Sequence, residues 1–117
     1  MNLAELQALC LAKPGAAATY PFGPGALVMK VGGKIFAIIA DQAAPPNVSL
    51  KCEPELVDAL RAAYPAVTPG YHLNKRHWNT VIADGSADDK LPDWIDDSYD
   101  LVVASLPRRV REELQRS

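Results

Sequence analysis

Eleven consecutive residues, Gly70-Tyr71-His72-Leu73-Asn74-Lys75-Arg76-His77-Trp78-Asn79-Thr80, hold both histidines, one of the two tryptophans and two adjacent cations. Cations neutralise phosphates, and flat rings stack on bases or wedge between them. Basic residues interleaved with aromatics therefore suit a nucleic-acid surface. Composition alone favours a plainer reading, a polar turn leading into a strand whose Trp78 belongs to the core.

Other chemistries find less support. His72 and His77 are five apart with no neighbouring cysteine, so a zinc site would need Cys52 to be delivered by folding. Neither Ser49 nor Cys52 sits in a nucleophile elbow. Gly32-Gly33 lacks the GxGxxG or GxxxxGK[ST] context of a phosphate-binding loop. No metal, cofactor or catalytic activity is expected. Asp84, Asp88, Asp89, Asp93, Asp96, Asp97 and Asp100 crowd one stretch with only Lys90 among them. Grouped carboxylates can hold divalent cations, but no EF-hand spacing is present, and a solvated loop and helix start is the expected role. Arg108, Arg109, Arg111 and Arg116 near the end of the chain read as helix-end and solubility charges.

These groups must be positioned by one small domain spanning residues 1–117. Apolar residues make up 49 % of the chain and charged residues 22 %, values that exclude a disordered polymer. The formal net charge of −2 provides no general attraction to nucleic acid, so phosphate binding would need a local basic face. The first residues are amphipathic and carry Glu5, unlike a signal peptide. With no span-length apolar run, the expectation is a cytoplasmic protein without membrane contact and with two reduced, buried thiols, Cys10 and Cys52.

Periodicity predicts a first helix through Leu3, Leu6 and Leu9, ended by Pro14-Gly15. Ala26–Val31 and Lys34–Ala40 flank Gly32-Gly33 as a hairpin with a primed turn, pairing Leu27 with Ile38 and Met29 with Phe36 on the core face. Residues 47–51 form a strand with Val48 and Leu50 inward and Ser49 and Lys51 outward. Pro54 opens a helix with Leu56, Val57, Leu60 and Tyr64 as its buried stripe. Residues 77–83 form another strand, with Trp78, Thr80 and Ile82 on one face. Pro92 starts a long helix, and a short one follows Pro107. The order α-β-β-β-α-β-α-α predicts an α+β domain, an antiparallel sheet with helices packed on one side in two layers.

The segment from Gly70 to Thr80 closely resembles the signature of the MmcQ/YjbR family. Four further runs match it in order: Tyr20-Pro21-Phe22-Gly23, Gly33-Lys34-Ile35-Phe36-Ala37, Val48-Ser49-Leu50-Lys51-Cys52 and Ser98-Tyr99-Asp100-Leu101-Val102-Val103. The resemblance covers nearly the whole chain and implies a CyaY-like fold and a DNA-binding role of modest affinity. It marks Lys34, Lys51, His72, Asn74, Lys75, Arg76 and His77, with Trp78 among them, as the nucleic-acid-binding set; Ser49 and Asn79 are matched polar positions as well. A monomer is favoured. The competing expectation is a protein- or small-ligand-binding adaptor that uses the same loop as a polar pocket.

Overall fold

The computed structural model describes residues 1–70 and 73–116. Tyr71 and His72, the latter a candidate site residue, lie outside the described residues.

Helix α1 (Leu3–Leu11) begins at a capping box: the Asn2 side chain accepts from the Glu5 amide at 2.8 Å, and Glu5 Oε1 accepts from the Asn2 amide at 3.2 Å. It buries Leu6 and Cys10. A short strand β1 (Ala17–Thr19) leads through the Pro/Gly-rich loop to β2 (Ala26–Val31) and β3 (Lys34–Ala40). Gly32 and Gly33, at φ 57° and 81°, occupy the left-handed region that a primed hairpin turn demands. A Cβ on Gly32 would also lie 2.7 Å from Leu106 Cδ1 and would push that side chain aside.

The hairpin register differs from the sequence-based one beyond the first two pairs. Val31 opposes Lys34 and Lys30 opposes Ile35, but the register then slips, and Met29 opposes Ala37 while Leu27 opposes Ile39. The extra residue is in β3. This β-bulge lets Phe36 and its neighbour Ala37 both be fully buried. Phe36 meets Tyr99 edge-on, with ring centroids 5.4 Å apart. Both strands are apolar almost without interruption, so alternation could not fix their register.

Strand β4 (Asn47–Lys51) is followed by α2 (Pro54–Ala63), an edge strand β5 (Val67–Pro69) and β6 (Trp78–Ile82). The chain ends with a 3-10 turn (Asp88–Lys90), α3 (Leu91–Ala104) and α4 (Arg108–Gln115). All six strands pair antiparallel in the order β1-β2-β3-β4-β6-β5. The two three-residue edge strands had no sequence signal, being too short to show alternation. Pro69 suits its edge position because its missing N–H leaves no ladder bond unmade.

Helix α3 lies over β3 and β4, α2 over β5 and β6, and α1 against α3. The expected two-layer α+β architecture holds. Leu27, Met29, Phe36, Ile39, Val48 and Leu50 from the sheet pack on Leu91, Ile95, Tyr99 and Val102 of α3. The stripe expected on α2 is only partly buried. Val57 is buried, Leu60 and Tyr64 are half-buried, and Leu56 is 51 % exposed. Because α2 sits at the β5/β6 edge, its flank toward α3 has no helix against it. Among the described residues, no helix is long and apolar enough to cross a membrane.

Candidate nucleic-acid interface

The sheet has two faces, and the alternation of β4 and β6 distributes the candidate residues between them. Leu50, Val81 and Asn79 turn toward the helices. Lys51, Trp78, Ser49 and Thr80 turn to the outer face, with Lys51 directly opposite Trp78 and Ser49 directly opposite Thr80. Ser49 Oγ and Thr80 Oγ1 are hydrogen-bonded at 2.8 Å, and the Thr68 hydroxyl donates to the Thr80 carbonyl at 3.1 Å. Trp78 shares a face with Thr80 and Ile82 as expected, but that face is the outer one. Its ring is half-buried and lies outside the helix-covered core.

Ser98 of α3 positions Lys51. It is fully buried, accepts from the Lys51 amide at 2.8 Å and donates to the Phe36 carbonyl at 2.6 Å. Regular pairing of β3 with β4 reaches only Ala37 and Leu50. At the bulge, the Ser98 hydroxyl bridges the two strands in place of a ladder bond.

The loop before β6 is built as a tight turn. The Asn74 carbonyl accepts from the amides of His77 and Trp78, and its side chain accepts from the Arg76 amide at 2.9 Å. Asn74 thus shapes the loop. His77 holds the loop to β4 by its backbone, its carbonyl accepting from the Cys52 amide at 2.7 Å. At the loop's start, a Cβ on Gly70 would fall 2.9 Å from Leu73 Cδ1 and 3.3 Å from Thr80 Oγ1. The chain therefore approaches the outer face closely here. Lys75 and Arg76 are both exposed beside the start of α2, on a surface they share with Glu55 and Asp58.

Arg61 was not singled out by the sequence, yet it holds this loop. From α2 its guanidinium donates to Asn79 Oδ1 at 2.7 Å, to the Lys75 carbonyl at 2.8 Å and to the Trp78 carbonyl at 3.2 Å. Asn79 is buried and acts in this support rather than as a surface contact. Nothing in the linear pattern separates Arg61 from an ordinary solvated helix cation.

Lys34 does not join the basic set. It faces the helix layer, its Nζ 3.3 Å from both the carbonyl and the hydroxyl of Ser105 at the C-terminal end of α3. There a cation complements the helix dipole. The placement follows from strand parity: Lys34 opposes the core residue Val31 beside the turn. Lys30, adjacent to core-facing Met29, alternates to the outer face at the same end of the sheet as Lys51.

Cys52 is half-exposed rather than buried as expected. Burial, with Asp97, Glu53 and Glu55 nearby, pushes its thiol up. A raised thiol is the opposite of an activated nucleophile. Among the described residues, no three His, Cys, Asp or Glu side chains gather as a metal-holding group.

The family model described as YjbR matches residues 11–101. An Escherichia coli K12 protein described as uncharacterized protein YjbR is 40 % identical over 115 residues, covering 97 % of this chain and 98 % of that one. Uncharacterized protein YbdF of E. coli O157:H7 is 36 % identical over 108 residues, covering 92 % and 88 %. The crystal structure of Deinococcus radiodurans protein DR2400, described as a DUF419 domain, superposes with a TM-score of 0.91 at 36 % identity, covering 97 % of this chain and 88 % of that one. A Pseudomonas syringae protein superposes with a TM-score of 0.74 at 25 % identity, covering 86 % and 98 %.

Proposed function

This chain belongs to the YjbR family, and we propose that it is a non-catalytic DNA-binding module of modest affinity that works through the outer face of its sheet. The carrying observation is the cross-strand pair of Lys51 and Trp78, a cation beside a half-buried indole on the outer face; the loop before Trp78 exposes Lys75 and Arg76 at the same strand end, on the flank toward the start of α2. The cations supply phosphate contacts and the ring supplies an apolar surface for a base or sugar. Lys30 extends the basic strip across β3, about 10 Å away at two strand spacings.

In a protein of net charge −2, binding must come from such a strip and must weaken steeply with salt. About four phosphate contacts, from Lys30, Lys51, Lys75 and Arg76, give a log–log salt slope near −3.6. Raising salt from about 50 to about 200 mM then weakens binding roughly 100-fold. Fluorescence anisotropy on a short duplex tests this. Absence of any affinity at the low-salt end would refute DNA binding. It would leave the adaptor reading, favoured by the Glu55 and Asp58 carboxylates beside Lys75 and Arg76, which offer paired charges to a peptide.

A further inference from the structure

The helix side of the sheet carries a feature that a DNA-binding role does not use. Between α2 and α3 a groove of about 420 Å³ opens onto β4, β5 and β6. Its floor is Leu50, Val67 and Val81, and its walls are Leu56 and Leu60 on one side and Trp94 and Leu101 on the other. Trp94 packs edge-on against Tyr64 at 5.1 Å between centroids, which fixes one end of the α2–α3 gap. Leu56 is an apolar wall exposed by about half. The volume lies in the range of small-molecule sites, and the apolar lining matches their usual composition.

The rim has one sign of charge. Glu53, Asp97 and Asp100 border the opening. Lys51 also borders it at the end of β4, but its side chain alternates to the outer face. Asp97 and Asp100 lie one helical turn apart and both line the opening, while Lys13, bonded to Asp96 on the adjoining flank of α3, is near enough to Asp100 to feel its charge. Partial burial, then Asp100, Asp93 and Asp96, raises the Asp97 carboxyl above its ordinary value. A ligand carrying positive charge would relieve that repulsion.

From this geometry we infer that the α2–α3 groove binds a small apolar molecule bearing an amine, with its hydrocarbon or aromatic body over Leu50, Val67 and Val81 and its ammonium group between Asp97 and Asp100. Neutral apolar molecules fit the floor but bring no charge to Asp97, and acids are repelled. The site is on the opposite side of the sheet from Lys51 and Trp78, so this inference is independent of DNA binding.

Cys52 and Trp94 in the lining supply two readouts. Cys10 is fully buried with its thiol pushed up to about 12, so maleimide labels Cys52 selectively in the folded protein. Three matched probes, phenylbutylamine, phenylbutanol and phenylbutanoate, are titrated while Cys52 labelling rate and Trp94 fluorescence are followed in a Trp78→Phe background. The amine should slow labelling and shift the fluorescence with about 10-fold higher affinity than the alcohol, an increment of about 1.4 kcal/mol. The acid should bind more weakly than either. Asp97→Asn with Asp100→Asn should remove the preference for the amine while the alcohol binds as before. Leu101→Trp, which fills the groove, should abolish binding of all three, and an unchanged thermal melt would show that the fold persists. Equal affinity for the three probes, no binding by any, or an amine preference that survives the double substitution would overturn the assignment. So would a dimer that Leu56→Asp converts to monomer, because the groove would then be filled by a second copy of the chain.

Discussion

Arg61 Nε donates to the buried Oδ1 of Asn79 at 2.7 Å, tying α2 to the inward face of β6. The same guanidinium also accepts no bond but gives two more, to the Lys75 and Trp78 carbonyls. One planar cation thus sets the loop that presents Lys75 and Arg76. Arg61→Ala leaves a buried amide oxygen and loop carbonyls without a donor, and should cost about 2–3 kcal/mol of stability. Arg61→Lys, with a point charge in place of a fork, should restore only part of that. Chemical denaturation measures the cost. Faster amide exchange at residues 74–78 in Arg61→Lys would locate the loss in the loop.

The two faces of the sheet make opposite predictions for two lysines that the family resemblance groups together. Lys51→Ala should flatten the salt slope of DNA binding by about 0.9, the increment for one phosphate contact. Lys34→Ala should leave the slope unchanged, since its ammonium is engaged at the end of α3. Lys75→Ala with Arg76→Ala should flatten it by about 2. A slope altered by Lys34→Ala and unaffected by Lys51→Ala would place the interface on the wrong side of the sheet.

Trp78 is half-buried on the outer face, so Trp78→Ala should cost about 1–2 kcal/mol, less than a fully buried indole would. If its ring meets nucleic acid, duplex DNA should quench its fluorescence in a Trp94→Phe background. A large stability loss with no quenching would return Trp78 to a purely structural role.

Ser98→Ala removes the hydroxyl bridge between the Lys51 amide and the Phe36 carbonyl at the β-bulge. Two buried backbone groups then lack partners, and the loss should be about 2–3 kcal/mol. Ser98→Thr keeps the hydroxyl but adds a methyl where no space is exposed. A melt of Ser98→Ala indistinguishable from wild type would show that the strands close over the gap.

Asp97 makes a pH prediction. Burial first, then Asp100, Asp93 and Asp96, holds its carboxyl above the ordinary carboxylate value. An acid raised in the folded state binds its proton more tightly there than when unfolded. Its ionisation therefore costs stability as pH rises through the folded value, and no cost exists where both states are protonated. Asp97→Asn should raise the melting temperature near pH 7, with the gain closing below about pH 3. A gain that persists at low pH would assign the effect to something other than charge.

Local chemistry was legible in the sequence wherever it depends on neighbours along the chain. Gly32-Gly33 specified a primed turn, because only glycine takes positive φ at both positions without strain. Pro54 marked a helix start, and Val48 and Leu50 alternated cleanly with Ser49 and Lys51. The two-layer α+β arrangement followed from the order of such elements, and five ordered runs carried the resemblance to the family. Tertiary structure decided what depends on parity and on distance through space. Where β2 and β3 are apolar at nearly every position, a bulge could slip the register without penalty to the pattern. That same strand parity sent Lys34 to the helices. Trp78 is apolar enough for either face, and only the placement of α2 and α3 made its side the outer one. Arg61 reaches Asn79 across eighteen residues of sequence, and Ser98 reaches Phe36 across sixty-two. No spacing rule announces a hydrogen bond closed by the packing of a helix on a sheet.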